Sequence, residues 1–275
     1  MNKLQTESSS GTFLRKENLL FLILGAIFLC NAILAEFIGV KIFSLERTFG
    51  LTPINLHILG FDQLSFNLTF GVILWPVVFV LTDILNEYYG MKGVRLLSYT
   101  TVAMILYSFL VVKIAIEIPP ADFWPHSHLG GDLSGVNAYK SDVKNLDSAF
   151  RLVYGQGLYI IIGSVVAFLI SQVLDVFVFH SIKRYTGEKS IWLRATGSTI
   201  ISQLIDSFVV LFIAFYIGAG WSMQLVLAIC VINYIYKFSI AVLATPILYL
   251  IHSVVERYLG HELATAMRTK AMQKA

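Results

Sequence analysis

The sequence predicts an all-α fold: a polytopic membrane protein, a bundle of six transmembrane helices with both termini cytoplasmic. Three observations carry that prediction. Of the 275 residues, 57% are hydrophobic and 13% charged, with a mean hydropathy of +0.75, too apolar for an ordinary soluble domain. Six segments, 19–42, 67–89, 94–117, 152–180, 194–219 and 222–250, each supply the roughly 20 mainly apolar residues that cross a hydrocarbon core. With the N-terminus inside, thirteen Lys and Arg fall on the cytoplasmic side against five outside, Lys41, Arg47, Lys140, Lys144 and Arg151, and this bias sets orientation. The net charge of +3 reflects those retained basic residues and does not point to nucleic acid.

In chain order, residues 1–18 are polar and Ser-rich and read as a cytoplasmic tail; 19–255 form the six-helix transmembrane domain, and 256–275 a second cytoplasmic tail. The first apolar run is far longer than the 7 to 15 residues of a signal-peptide core, so it stays as a helix. It carries Asn31 and Glu36, with Ala35 and Gly39 as a small-xxx-small pair suited to close helix packing. Residues 44–66 hold Thr52, Pro53, Asn55, His57 and Asp62 and read as an external loop, with a seventh short helix left open. The second segment contains WPVVFVLTDILNEYYG from Trp75. There Asp83, Asn86 and Glu87 project from one helix face, because residues three and four apart are neighbours. Ionisable groups in a bilayer core cost about 2.5 to 3.5 kcal/mol each and mark substrate or ion paths. Glu87, about one turn from YYGMKG, is the member nearest an interfacial position.

Residues 119–151 form a second external loop. His126 and His128 stand two apart with no Cys partner, which fits a solvated loop better than a metal site. The fourth and fifth segments repeat a pattern, ISQVLDVFVF from Ile170 and ISQLIDSFVV from Ile201. Each places Ser, Gln and Asp on one face: Ser171, Gln172 and Asp175, then Ser202, Gln203 and Asp206. The sixth adds Asn233, Tyr234, Tyr236 and Lys237. Lys237 lies too deep to snorkel and needs an acid; Asp206, at comparable depth, is the first choice. Pro246 is a kink candidate. Cys30 and Cys230 sit in apolar spans and read as packing residues.

Interhelical hydrogen bonding explains isolated polar residues. It explains less well four acids, Asp83, Glu87, Asp175 and Asp206, against Lys237 alone, since unpaired buried charge is what proteins avoid. Carboxylates and carboxamides (Asn86, Gln172, Gln203, Asn233) beside aromatics (Trp75, Phe79, Tyr234, Tyr236) suit a flat, neutral or cationic molecule with several N–H and C=O groups, such as a heteroaromatic base. No GxxxxGK[ST], GxSxG or HExxH run occurs, so neither nucleotide hydrolysis nor enzymatic chemistry is indicated, and no cofactor is expected.

The run WPVVFVLTDILNEYYGMKGVR, the paired SQxxD segments and NYIYK resemble the queuosine-precursor transporter family, within the vitamin-uptake-transporter group, from about Leu19 to Leu250. The resemblance implies import of 7-cyano-7-deazaguanine, its 7-aminomethyl form, or both, across a bacterial cytoplasmic membrane, for salvage into tRNA queuosine. On that reading the deazapurine sits between the second, fourth, fifth and sixth helices. Asp206, Asp175, Gln203 and Gln172 bond its guanine-like edge, Asn86 and Asn233 its other polar groups, and Trp75 or a tyrosine such as Tyr236 stacks on it. Lys237 neutralises an acid in the unloaded state, and Asp83 or Glu87 is left to carry a coupling proton. The alternative is a substrate-binding subunit of an energy-coupling uptake complex that relies on ATPase partners. A homodimer is also open.

Overall fold

A computed structural model describes residues 15–155, 158–187 and 190–273; most of the first predicted tail, residues 1–14, lies outside the described residues. Helix α1 spans Lys16–Ile38. The expected loop that follows contains two antiparallel ribbons, β1 (Ile42–Ser44) with β4 (Asn67–Thr69) and β2 (Leu56–Ile58) with β3 (Phe61–Leu64). Strands of three or four residues are too short to show the alternation that would reveal them in sequence. The helix left open there is a single turn, α2 (Leu45–Thr48). Glu46 organises the loop: its carboxylate accepts from Phe66 N–H (2.8 Å), Ser44 Oγ (2.9 Å) and Ile54 N–H (3.5 Å).

After a 3₁₀ turn at Phe70–Ile73, α3 runs Trp75–Glu117 with Pro76 in its first turn, where the missing N–H costs nothing. Its single break is Gly90, at φ 66° and ψ −174°, a conformation glycine adopts without a Cβ penalty. The chain reverses there. Gly71 packs on Ala35 at the far end of α1, so tightly that a Cβ would meet Ala35 O at 2.4 Å. Tyr89 donates to Glu17 O (2.6 Å) and packs on Phe21 at the near end, and Phe109 returns to Phe37 at the far end. The two arms of α3 are the second and third predicted segments, and the Ala35–Gly39 pair packs within the chain.

The second loop holds 3₁₀ turns at Trp124–Leu129 and Gly135–Asn137, α4 (Tyr139–Asp142) and α5 (Leu146–Tyr154). His126 and His128 face backbone carbonyls of Lys144 and Val143. Then come α6 (Leu158–Thr186), α7 (Ile191–Leu211, extended by a π turn Phe212–Ile217), α8 (Met223–Leu243), α9 (Thr245–Leu259) and α10 (His261–Gln273). Among the described residues, five helices are long and apolar enough to cross a membrane, and the Gly90 reversal lies within one of them. Exposed Leu22, Ile27, Leu106, Leu110, Val173, Phe177 and Val242 give these helices an apolar outer face, as lipid contact requires.

The helix from Met223 ends at Leu243, short of the predicted 250, and α9 starts with Pro246 in its first turn. Proline cannot continue the hydrogen-bond ladder. Thr245 Oγ1 bonds Ala241 O (3.3 Å) and Thr196 Oγ1 (3.0 Å), which ties the break to α7. The stretch expected as a second tail contains the end of α9 and α10. Helix α10 lies against the Gly90 turn, with Ala271 O 3.0 Å from where a Gly90 Cβ would stand.

Candidate functional site

Three helices carry matched ladders of side chains, which divide the bundle interior into three rungs. On the first arm of α3 the ladder is Trp75, Phe79, Asp83 and Glu87, four residues apart. On α6 it is Phe168, Gln172, Asp175 and Lys183; on α7 it runs in the opposite direction as Ser207, Gln203, Ser202 and Arg194. The spacing follows from 3.6 residues per turn.

The outer rung is a cavity of about 670 Å³ whose wall includes Glu36, Trp75, Ser164, Phe168, Asp206, Ser207, Asn233 and Lys237, within the range of small-molecule sites. It reaches Leu64 and Asn67 of the ribbons, Leu152 of α5 and Trp221. The expected pair is formed: Lys237 Nζ lies 2.5 Å from Asp206 Oδ2. Ser164 Oγ donates to the Glu36 carboxylate. Asn233 donates to Ile229 O on its own helix (3.0 Å). Trp75 stacks on Phe79 with centroids 6.0 Å apart and meets Phe168 at 5.6 Å. A smaller cavity of about 30 Å³, bordered by Trp75, Asp83, Thr199, Tyr236 and Lys237, lies against this wall.

One turn inward lies a buried polar rung. Asp83, Asn86, Gln172, Asp175 and Gln203 are all buried. Gln172 Nε2 reaches Thr82 Oγ1 at 3.5 Å and Ser202 Oγ donates to Asp175 Oδ1 at 3.3 Å. Asp83 lies within electrostatic range of Asp175, Glu87 and Arg194.

The innermost rung is an ion triad. Glu87, nearest the reversal, is fully buried rather than interfacial. Arg194 grips it with Nη2–Oε1 at 2.9 Å and Nε–Oε2 at 3.1 Å, and Lys183 Nζ adds a 3.0 Å contact to Oε2. Arg194 also donates to Gly187 O (3.0 Å). Two-pronged guanidinium–carboxylate pairing is the strong form of this contact.

The eleven sequence-predicted residues therefore divide. Trp75, Asp206, Asn233 and Lys237 meet at the large cavity. Tyr236 and Asp83 border the small one; Asn86, Gln172, Asp175 and Gln203 form the buried polar rung with Asp83, and Glu87 closes the inner end. Sequence reasoning missed Lys183 and Arg194, since basic residues at segment ends count toward orientation and look solvated. Glu36 was unplaced in depth, and Ser164 gave no signal beyond being a hydroxyl in an apolar run.

The family described as "Putative vitamin uptake transporter" matches residues 69–251, a stretch that includes all eleven of these residues and excludes Glu36. Over 185 residues the chain is 29% identical to a "Probable queuosine precursor transporter" of Bacillus subtilis (strain 168), covering 66% of this chain and 70% of that protein. Over 158 residues it is 24% identical to a protein of the same description from Haemophilus influenzae, covering 58% and 56%. No solved structure matches the chain significantly.

Proposed function

The chain belongs to the vitamin uptake transporter family, and on that premise we propose that it imports queuosine precursors, 7-cyano-7-deazaguanine or its 7-aminomethyl form, through the bacterial cytoplasmic membrane. The relatives named as queuosine-precursor transporters support the substrate class. The observation that carries the reading is the large cavity, in which an indole face, two carboxylates and a carboxamide share one wall.

In this reading the cavity opens toward the ribbons and α5, the outer face by the distribution of Lys and Arg. The deazapurine stacks on Trp75, since a flat π system gains about 1 to 3 kcal/mol per base from such a platform. Its guanine-like edge offers adjacent N–H groups, which a carboxylate accepts in pairs. Asp206 takes that role once Lys237 releases it, Glu36 on the same cavity is a second acceptor, and Asn233 bonds the remaining polar groups. Asp83, Asn86, Gln172, Asp175, Gln203 and Tyr236 act beneath the substrate rather than around it. The Glu87 triad closes the inward path until the bundle rearranges.

The test is uptake by a bacterial strain unable to make or import queuosine precursors, expressing this chain alone and scored by tRNA queuosine after nanomolar precursor. Wild type restores the modification. Asp206→Asn abolishes it at equal membrane abundance, and Trp75→Ala raises the precursor concentration needed by about 5- to 150-fold, the equivalent of the stacking energy. No rescue by well-expressed wild type overturns the self-sufficient importer; rescue only after adding ATPase partners selects the energy-coupling alternative.

A further inference from the structure

The buried polar rung poses a problem of bonding that the substrate cavity does not solve. Asp83 Oδ1, Asp175 Oδ2, Gln172 Oε1 and Gln203 Oε1 are all buried without a hydrogen-bond partner, as are both side-chain atoms of Asn86. Each residue is at most 6% exposed. These four oxygens are acceptors, so what the rung lacks at them is a donor or a positive centre. An unmet acceptor in a low-dielectric interior is costly, and an unmet carboxylate more so.

Contacts between the helices link these residues. Gln172 reaches Thr82, the neighbour of Asp83, and Asp175 on the same face of α6 accepts from Ser202 of α7. Gln203 follows Ser202 and sits midway along the stripe from Thr199, which borders the small cavity with Asp83, to Ser207 on the large one.

Charge points the same way. The groups facing the rung are Asp83 and Glu87 from α3, Asp175, His180 and Lys183 from α6, and Arg194 from α7. Lys183 and Arg194 are committed to Glu87, and Lys237 of α8 to Asp206. His180 stands beside Lys183, whose charge opposes a further cation there. Three acids against two bases leave the set short of one positive charge. A divalent ion would overshoot, and a proton shared between Asp83 and Asp175 would supply the charge but leave Gln172 Oε1 and Gln203 Oε1 unmet. Carboxylate and carbonyl oxygens are the donors that hard cations take.

We propose that Asp83 Oδ1, Asp175 Oδ2, Gln172 Oε1 and Gln203 Oε1 bind one sodium ion, whose entry from the outer cavity drives import. The driving role rests on the importer reading above; the binding does not. The ion completes the charge of the inner half, draws α3, α6 and α7 together beneath the substrate, and leaves when the Glu87 triad opens.

Binding is tested on the full chain in nanodiscs by thermal unfolding in NaCl against choline chloride at constant ionic strength. Sodium raises the wild-type Tm saturably. Asp175→Asn increases the half-saturating sodium concentration at least tenfold. Gln172→Leu, which keeps the charge, increases it several-fold, so the result stands even if the aspartate variant fails to fold. Asp206→Asn, on the outer rung, keeps the response. Equal Tm in sodium and choline, or a wild-type response to pH alone, overturns the site. In proteoliposomes an inward sodium gradient then accelerates precursor uptake. Sodium binding with no uptake sinks the importer reading and leaves the site standing; equal uptake in sodium and choline sinks the coupling.

Discussion

Asp83 and Glu87 stand one turn apart on the same face of α3, both buried, yet their surroundings differ completely. Glu87 is met by a guanidinium on two sides and an ammonium on a third. Asp83 faces Asp175 and keeps an oxygen without a partner. A buried charge already matched by fixed cations holds helices together; one left unmatched is available to something that comes and goes. On the proposed sodium site, the difference separates a structural lock from a working site within 6 Å of helix rise.

The comparison breaks most directly at the lock. Glu87→Gln leaves Lys183 and Arg194 buried with no acid between them. Removing one member of a buried pair costs about 3 to 5 kcal/mol, so we expect loss of folded protein from membranes or a large fall in Tm. Asp83→Asn, by contrast, relieves the mutual repulsion with Asp175 and keeps a hydrogen-bonding shape, so its Tm in choline is unchanged or higher. If the two substitutions cost the same, the lock and the working site are not distinct.

How far this division was legible follows from the range of each signal. The spacing of Asp83, Asn86 and Glu87 is local, and a helix period suffices to put them on one face. The Lys237–Asp206 pair was readable from depth, since each position counts residues from a segment end. The reversal at Gly90 was marked by YYGMKG. What the chain alone could not reveal is which acid meets which cation. Lys183 and Arg194 lie 96 and 107 residues beyond Glu87, and nothing local distinguishes them from Arg184, a solvated neighbour in sequence. Glu36 was ambiguous for the same reason: its place at the cavity depends on Ser164 of α6, not on α1. The ribbons were missed because short strands carry weak periodicity, α9 because Pro246 reads as a kink within the sixth segment rather than as a new start, and α10 because its mixed polarity reads as a tail.

A second way to sharpen the comparison uses the outer pair. Lys237 and Asp206 are bonded as Glu87 is, but their side chains retain 9% and 19% exposure to the cavity. Asp206→Asn should therefore cost less than Glu87→Gln, about 1 to 3 kcal/mol, much of it from the stranded ammonium. Adding Lys237→Met should restore most of that loss, with a coupling of about 0.5 to 3 kcal/mol in the double-mutant cycle of Tm-derived stabilities. Import should stay absent in the double variant, because stability is recovered while the substrate's acceptor is not. Recovery of import with stability would make Asp206 a structural acid.

The smallest effect is expected at Glu46, an acid satisfied by N–H and O–H donors rather than by cations, outside the membrane-spanning segments. Burial pushes its carboxyl up, but donation from Phe66 N–H first, then its own amide, Ser44 and Ile54, together holds it below its ordinary value of 4.5. A depressed folded-state value means the ionised form is the one the loop prefers. Its contribution is present above about pH 4.5 and disappears as pH falls through the lower folded value. Limited proteolysis of the 44–66 loop should be slow at pH 7 and accelerate only well into the acid range. Glu46→Gln keeps an acceptor for Phe66 but surrenders charge assistance, worth about 1 kcal/mol, so its loop should be cut several-fold faster at pH 7 and lose the acid-dependent step. Because the ribbons border the outer cavity, import by this variant should slow modestly while its sodium response stays intact, which would confine the loop's role to the mouth of the site.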